Sequence, residues 1–186
     1  LPRGCLDAAL ELLNDNGIAT IVQDERFAGE PINLNFAGSL REDQEAAVAA
    51  MLEHDAGILC APTAFGKTVA AAALIARRGV NTLVLVHRTD LLRQWQERLQ
   101  MFLGLGKGLV GTIGGGKAKP TGIIDIAVMQ SLSRQGEVSD QVKNYGQVIV
   151  DECHHLSAFS FEATAPHHIY AVWADSTYSE QANKCS

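Results

Sequence analysis

The chain has 186 residues, of which 47% are hydrophobic, and it carries a formal net charge of −6 at pH 7. The length suits one substantial core, and no apolar run is long enough to cross a membrane. The negative charge argues against a generally basic coat for nucleic acid, although a local basic track is compatible with it. The scattered cysteines and the lack of a signal-peptide pattern favour a soluble protein of the cytoplasm, and the start without Met favours a fragment.

The first residues predict a small lead-in to the main fold. Apolar residues at helical spacing predict a helix from Leu6 to Leu13, which Asn16-Gly17 ends. The apolar run from Ile18 to Val22 is typical of a strand, and Asp24 to Asn33 is typical of a loop. We therefore expect residues 1–38 to form a small α+β segment that is not a self-sufficient domain.

From residue 39 the chain alternates helices with short apolar strands. The predicted helices are Arg41 to Glu53, Lys67 to Arg78 and Asp90 to Phe102. The predicted strands are Gly57 to Cys60, Thr82 to Val86, Leu109 to Ile113, Ile123 to Val128 and Val148 to Val150. This alternation predicts an α/β fold with a mostly parallel sheet that is covered by helices on both faces. Ligands of such sheets bind at the carboxyl ends of the strands.

The stretch from Ala61 to Thr68 lies between a predicted strand and a predicted helix, which is the order found in a phosphate-binding loop. Backbone N–H groups of such a loop surround the phosphates, and the helix N-terminus adds partial positive charge. Lys67 is expected to contact the β- and γ-phosphates, and the Thr68 hydroxyl to bind Mg²⁺. Because Ala61 replaces the glycine that begins the general pattern, an ordinary helix start is the alternative.

Two carboxylates, Asp151 and Glu152, directly follow the last predicted strand. Beside a phosphate loop, Asp151 can orient Mg²⁺, and Glu152 can position and deprotonate an attacking water. Parallel strands bring their carboxyl ends together, so we expect this pair to meet Lys67 and Thr68 at one catalytic site. The alternative is an acidic N-cap of a helix, which accounts for one carboxylate only.

Taken together, Ala61 to Thr68 and Asp151-Glu152-Cys153-His154 resemble motifs I and II of superfamily 2 helicases in the DExH form. Within the superfamily, the resemblance is to the XPB-like and type III restriction-subunit-like branch. It implies that residues 39–164 form the first RecA-like motor domain, a P-loop NTPase fold that uses ATP and Mg²⁺. It also implies that His154 couples the nucleotide site to the rest of the enzyme.

The resemblance extends to an adenine-recognition element. The run from Leu40 to Gln44 is similar to the Arg-x-x-Gln element that the family carries upstream of its phosphate loop. In the family this glutamine reads the edge of adenine, since an amide can both donate to and accept from the base. The implied ATP-binding residues are Arg41, Gln44, Pro62, Thr63, Ala64, Phe65, Gly66, Lys67 and Thr68.

Further stretches are similar to the family's nucleic-acid motifs: residues 85–95 resemble motif Ia, and residues 127–132 resemble motif Ic. Glycine N–H groups and lysine charges can hold phosphates without reading sequence. DNA is the expected track, and RNA is left open. The implied nucleic-acid contacts are Arg88, Gly115, Lys117, Gln130 and Ser131.

Each of these contacts has a simpler alternative. Residues 114–120 are also compatible with a plain flexible loop, and Arg88 with an ion pair to an acidic neighbour. Trp95, which lies at helical spacing with other apolar residues, is expected in the core rather than stacked on a base.

After Glu162 the resemblance fades, and we expect residues 165–186 to form a truncated or divergent tail that packs poorly. The family carries a second RecA-like domain with an arginine finger, and no second set of motifs follows here. We therefore expect the ATP-binding half of an ATP-dependent DNA helicase or translocase, nearly inactive alone. The rival functions are a nucleic-acid-binding module that uses ATP only as a switch, and a P-loop kinase or other NTPase unrelated to nucleic acid.

Overall fold

The computed structural model describes residues 6–22, 27–134, 137–138, 140–152 and 169–174. The helices are α1 (Leu6–Asp15), α2 (Glu42–Leu52), α3 (Lys67–Arg78), α4 (Thr89–Phe102) and α5 (Met129–Leu132). The strands are β1 (Ala56–Cys60), β2 (Thr82–Val86), β3 (Val110–Gly114), β4 (Lys117–Lys119), β5 (Ile124–Val128), β6 (Ser133–Arg134), β7 (Glu137–Val138), β8 (Gln147–Val150) and β9 (Ile169–Ala174). Short 3₁₀ turns cover Thr63–Phe65 and Asp140–Asn144.

Seven strands form one sheet in the order β1-β9-β8-β2-β5-β3-β4. All neighbours pair in parallel except β3 and β4, which form an antiparallel hairpin. The hairpin turn is Gly115-Gly116, with φ of 61° and 78°, the positive values that a tight two-residue turn requires. The prediction of an α/β fold with a mostly parallel sheet is therefore confirmed, and a hairpin replaces the flexible loop that was the alternative for residues 114–120.

The core lies on both faces of the sheet because the central strands are buried throughout. On β2, Val84 and Val86 pack into one cluster with α2, α3 and α4, while Leu83 and Leu85 pack into a second. The second cluster is closed by α5 and by the turn that carries Val142. Four consecutive alanines of α3, residues 70–73, are fully buried, and their small side chains let the helix lie close to its neighbours.

The lead-in differs from the sequence-based prediction. Residues 18–22, expected as a strand, have no regular structure, and Ile21 is 98% exposed. A strand is stabilised by cross-strand neighbours and burial, and this run has neither. Further along, the segment around Pro31 and Ile32 does join the fold: Pro31 forms a bridge with Val80, and Ile32 N donates to Gly79 O at 2.8 Å.

Asn81 fastens this segment to the amino end of the sheet. Its Oδ1 accepts from the backbone N–H groups of Glu30 and Gly146, both at 2.9 Å. Its Nδ2 donates to Gly122 O at 3.2 Å and to Asn144 O at 2.7 Å. One buried amide thus satisfies four backbone groups from three loops, at the end of the sheet opposite the phosphate loop.

A buried carboxylate organises the turn that precedes β5. Asp125 accepts hydrogen bonds from Thr121 N and Gly122 N, both at 2.7 Å, and from the Tyr145 hydroxyl at 2.6 Å. Burial raises the pKa of Tyr145, and the hydrogen bond to Asp125 raises it further. Gly111 lies so close to this cluster that a Cβ at that position would overlap the Asp125 carboxylate.

The strand β9 corrects the expectation that residues 165–186 pack poorly. It lies between β1 and β8 and pairs in parallel with both, with Val172 opposite Ile58 and Ala171 opposite Ile149. The run contains Ile, Tyr, Val and Trp, which favour strands. It fills the gap between β1, which comes much earlier in the chain, and β8, the strand that precedes it. Ile169–Ala174 therefore belong to the seven-stranded sheet. Within the described residues, no helix is long and apolar enough to cross a membrane.

Candidate nucleotide-binding site

The loop between β1 and α3 has the backbone path of a phosphate-binding loop. Pro62 is extended, Thr63–Phe65 forms a 3₁₀ turn, and Gly66 adopts φ 82° and ψ 44° just before α3 begins. The left-handed conformation at Gly66 strains any residue that has a side chain. A Cβ there would also approach Gln44 Nε2 to 2.7 Å, so glycine is required twice over.

Hydrogen bonds from Arg41 and Gln44, at the start of α2, brace this loop. Phe65 O accepts from Gln44 Nε2 at 2.6 Å and from Arg41 Nη2 at 2.9 Å. Gln44 Oε1 in turn accepts from Arg41 N at 2.9 Å. The Arg41 guanidinium also lies 5.8 Å from the centre of the Phe65 ring, within the range of a cation–π contact. Two residues of the predicted adenine-recognition element, Arg41 and Gln44, therefore contact the phosphate loop itself.

These contacts separate the roles of the two residues. Gln44 is only 3% exposed, and both ends of its amide bond to backbone groups, so it shapes the loop. Arg41 is exposed and also pairs with Asp43 at 3.1 Å. Recognition of adenine by Gln44 and binding of ATP by Arg41 stay predictions.

The acidic pair lies at the carboxyl end of β8, as the sequence predicted. Asp151 N donates to Leu85 O at 2.9 Å, which fixes the backbone beside β2. Asp151 Oδ2 accepts from the indole N–H of Trp95 at 2.8 Å. Burial raises the pKa of the Asp151 carboxyl; the Trp95 hydrogen bond lowers it, and the nearby Glu152 charge raises it.

Lys67 and Glu152 bring the two motifs together. Lys67 Nζ lies 3.5 Å from Glu152 Oε1, with the two side chains 10% and 23% exposed. Glu152 has φ 56°. Among the described residues, it is the only non-glycine residue with a positive φ. Such a conformation costs on the order of 1 kcal/mol and is common where a side chain must be aimed at a ligand. The structure thus places Lys67 beside Glu152, and a shared catalytic role for the two motifs stays a prediction.

The available donors fit Mg²⁺ bound together with a nucleotide. The Thr68 hydroxyl and the Asp151 carboxylate offer oxygen atoms, the type of ligand that Mg²⁺ prefers. Among the described residues, no three His, Cys, Asp or Glu side chains are grouped to hold a metal by themselves. Mg²⁺ typically takes one or two protein ligands and completes its shell with phosphates and water.

The expected nucleic-acid residues lie around the β3–β4 hairpin. Lys117, Gln130 and Ser131 line one pocket of about 390 Å³ together with Gly114 and Gly116. The structure therefore brings together three of the five predicted contacts from separate segments of the chain.

The other two predicted contacts, Gly115 and Arg88, lie near the start of α4. A Cβ on Gly115 would lie 3.2 Å from Thr89 Cγ2, so the hairpin turn touches the first residue of the helix. Arg88 precedes that residue and pairs with Asp90 at 3.2 Å. This is the ion pair with an acidic neighbour that was the alternative to a nucleic-acid contact. Both side chains are exposed, and an ion pair of this kind is weak enough to exchange for a phosphate. His154 lies outside the described residues.

Trp95 is the contact that sequence reasoning missed. Its burial was expected, but its hydrogen bond to Asp151 was not. A buried indole needs a partner for its N–H, and that need was the available signal. The partner itself comes from a strand more than fifty positions away, which spacing along α4 cannot reveal.

The comparisons with known proteins agree with this geometry. Residues 37–175 match the family of the type III restriction enzyme, res subunit. The chain belongs to this family. It is 34% identical over 126 residues to the DNA 3'-5' translocase XPB2 of Sulfurisphaera tokodaii, over 68% of this chain and 27% of that protein. It is also 34% identical over 141 residues to a putative DNA 3'-5' helicase Rad25 of Halobacterium salinarum, over 74% of this chain and 23% of that protein.

Solved structures support the same family at the level of the fold. The UvsW helicase of bacteriophage T4 superimposes with a TM-score of 0.70 and 17% identity, over 97% of this chain and 73% of that one. The RecA-like fold is thereby confirmed, and the family match together with the XPB-like relatives confirms the resemblance to superfamily 2 helicases. The chain spans only 27% and 23% of the length of these two relatives.

Proposed function

We propose that this chain carries the ATP-binding half of an ATP-dependent DNA helicase or translocase. The observation that carries the proposal is the meeting of Lys67 with Glu152, 3.5 Å apart, at the carboxyl edge of a parallel sheet. A phosphate-binding cation and a candidate base for water converge there from two distant segments. The relatives named as a DNA translocase and a DNA helicase support DNA as the track.

The chain's own groups divide the work of ATP hydrolysis. Lys67 and the N–H groups of the loop from Pro62 to Gly66 bind the phosphates. Thr68 and Asp151 hold Mg²⁺, which neutralises phosphate charge when it is bound. Glu152 leaves Lys67, orients the attacking water and accepts its proton.

The surface around the hairpin binds the nucleic-acid backbone. Lys117 supplies charge, Gln130 and Ser131 supply hydrogen bonds, and Gly115 allows close approach of the phosphates. Arg88 adds charge at the start of α4. His154, two residues beyond Glu152, couples this surface to the nucleotide site.

A second RecA-like domain completes the motor in the whole protein. Charge donated across such a domain interface is worth about 10³–10⁵ in the rate of phosphoryl transfer. The 186-residue chain is therefore expected to bind ATP weakly and to hydrolyse it very slowly, with no unwinding.

The test compares binding with turnover in the 186-residue chain. Binding of a fluorescent ATP analogue and single-turnover hydrolysis of ATP are measured for the native sequence and for Glu152→Gln. If the chain is an enzyme, Glu152→Gln is expected to lose the slow hydrolysis of ATP and to keep binding of the ATP analogue. Unchanged hydrolysis in Glu152→Gln would overturn the assigned chemistry, whereas two proteins that bind but never hydrolyse would favour the ATP switch.

DNA dependence is tested by adding single-stranded DNA, single-stranded RNA or no nucleic acid to the same reactions. A DNA-specific change in nucleotide affinity supports the helicase assignment. Equal responses to RNA would move the track to RNA, and no response to either would favour an NTPase unrelated to nucleic acid.

A further inference from the structure

Trp95 occupies an unusual position for a core residue. It lies in the second turn of α4, is 3% exposed, and points its single polar group at the carboxylate of Asp151. The Nε1–Oδ2 distance of 2.8 Å is that of a strong, charge-assisted hydrogen bond. The other buried residues of this helix, Leu92 and Leu99, fill the same interface with hydrocarbon alone.

The bond acts on the carboxylate that the proposed function assigns to Mg²⁺. Asp151 is held on its backbone side by the N–H···O bond to Leu85 and on its side chain by Trp95. One carboxylate oxygen is therefore committed to α4, which sets the rotation of the whole group. A carboxylate that must meet Mg²⁺ in octahedral geometry tolerates little error in that rotation.

We propose that Trp95 is a positioning residue, which sets the orientation of Asp151 for the Mg²⁺–nucleotide complex through its indole N–H. This inference rests on the proposed function of Asp151. It gives α4 a second task beyond packing: the helix begins beside Arg88 and the hairpin, and the same rigid element holds the carboxylate of the nucleotide site.

The decisive variant is Trp95→Phe, which keeps an aromatic ring and removes the donor. Binding of the fluorescent ATP analogue is measured across a range of Mg²⁺ concentrations and again in excess chelator. The Mg²⁺ concentration at half-maximal effect is expected to rise about tenfold, as for the loss of one hydrogen bond to a charged group. Binding in chelator is expected to stay unchanged.

Two further variants separate the possible failures. Leu99→Val loosens the same helix without touching Asp151, and it is expected to lower the free energy of unfolding but not the Mg²⁺ response. Asp151→Asn is expected to abolish the Mg²⁺ response. If Asp151→Asn has no effect, the proposed function of Asp151 fails; if it has its effect and Trp95→Phe has none, only the role of Trp95 fails.

A spectroscopic measurement on the unaltered chain decides the matter even if Trp95→Phe does not fold. The chain has two tryptophans, so an ¹⁵N-labelled sample gives two indole N–H signals. The Trp95 signal is expected to shift when Mg²⁺ and nucleotide are added together and to stay in place when nucleotide is added in chelator. An unchanged Trp95 indole N–H signal on addition of Mg²⁺ together with nucleotide would overturn the inference.

Discussion

The ammonium group of Lys67 is paired with the carboxylate of Glu152 at 3.5 Å. The proposed phosphate-binding cation and the proposed base for water thus neutralise each other in this structure. Under the proposed function, the phosphates of the nucleotide replace Glu152 as the partner of Lys67, and Glu152 then becomes available to water. Binding and the readiness for hydrolysis are linked through this one exchange.

The exchange predicts opposite effects on binding for the two partners. Lys67→Ala is expected to weaken binding of the fluorescent ATP analogue by at least about tenfold, because charge-assisted phosphate contacts are lost. Glu152→Gln is expected to bind as well as the native sequence or better, because no carboxylate competes for Lys67. Glu97→Gln, which breaks the exposed Arg93–Glu97 pair, is the control and should change nothing. Equal weakening by both Lys67 and Glu152 variants would show that Glu152 contacts the ligand instead.

A second prediction concerns the glycine of the phosphate loop. Gly66→Ala forces a side chain into φ 82° and against Gln44, so it is expected to destabilise the fold by about 1–2 kcal/mol and to displace the brace. Gly104→Ala is the matched control: φ is 61°, but its Cβ meets nothing within 4 Å. Urea unfolding should show a cost in both variants, and only Gly66→Ala should also lose nucleotide affinity. Retained affinity in Gly66→Ala would contradict the brace.

Tyr145 predicts a pH dependence that is independent of the nucleotide site. Its raised pKa means that the folded state keeps the hydroxyl protonated above pH 10, whereas the unfolded chain ionises there. Stability contributed by this group is therefore fully present below about pH 10 and is lost above it, by up to about 1.4 kcal/mol per pH unit.

The measurement for this prediction is the difference in unfolding free energy between the native sequence and Tyr145→Phe. At pH 8 the variant is expected to be less stable by about 1.5–3 kcal/mol, since Asp125 loses a hydrogen bond. The difference should shrink from pH 9.5 to pH 11. A constant difference across that range would mean that the hydroxyl ionises alike in the folded and unfolded states.

The hairpin pocket predicts a local, salt-dependent contact with DNA. Lys117→Ala is expected to weaken binding of labelled single-stranded DNA and to reduce the slope of log K against log salt by about one. Lys107→Ala removes the same charge in the turn before β3, at the other end of that strand, and should have little effect. Fluorescence anisotropy at several salt concentrations distinguishes the two. Equal losses in both variants would indicate a diffuse charge effect rather than this pocket.

Local signals were sufficient for the elements that surround the phosphate loop. The bounds of α3 and β2 were predicted correctly, because Gly66 and Gly79 frame the helix and five continuous apolar or β-branched residues define the strand. The run Ile18–Val22 has comparable strand propensity but no partner strand, so propensity alone gave the wrong result. A Gly-Gly turn between short runs was a readable signal for the β3–β4 hairpin.

Contacts between distant segments were beyond the sequence. The pairing of β9 with β1 and β8, and the bond from Trp95 to Asp151, depend on positions that only the folded sheet brings together. The sequence predicted that Gln44 contacts the nucleotide. It did not predict the hydrogen bond from Gln44 to Phe65 O, because that contact also joins two distant segments.

The position of β9 in the sheet has a consequence for folding during synthesis. Among the described residues, β1 joins the sheet through β9 alone, and β9 is the last described strand to be synthesised. The phosphate loop follows β1 directly, so the strand that leads into it joins the sheet only after residue 174 has been synthesised. The nascent chain can assemble β2, β5, β3 and β8 earlier, and β9 then connects β1 to them.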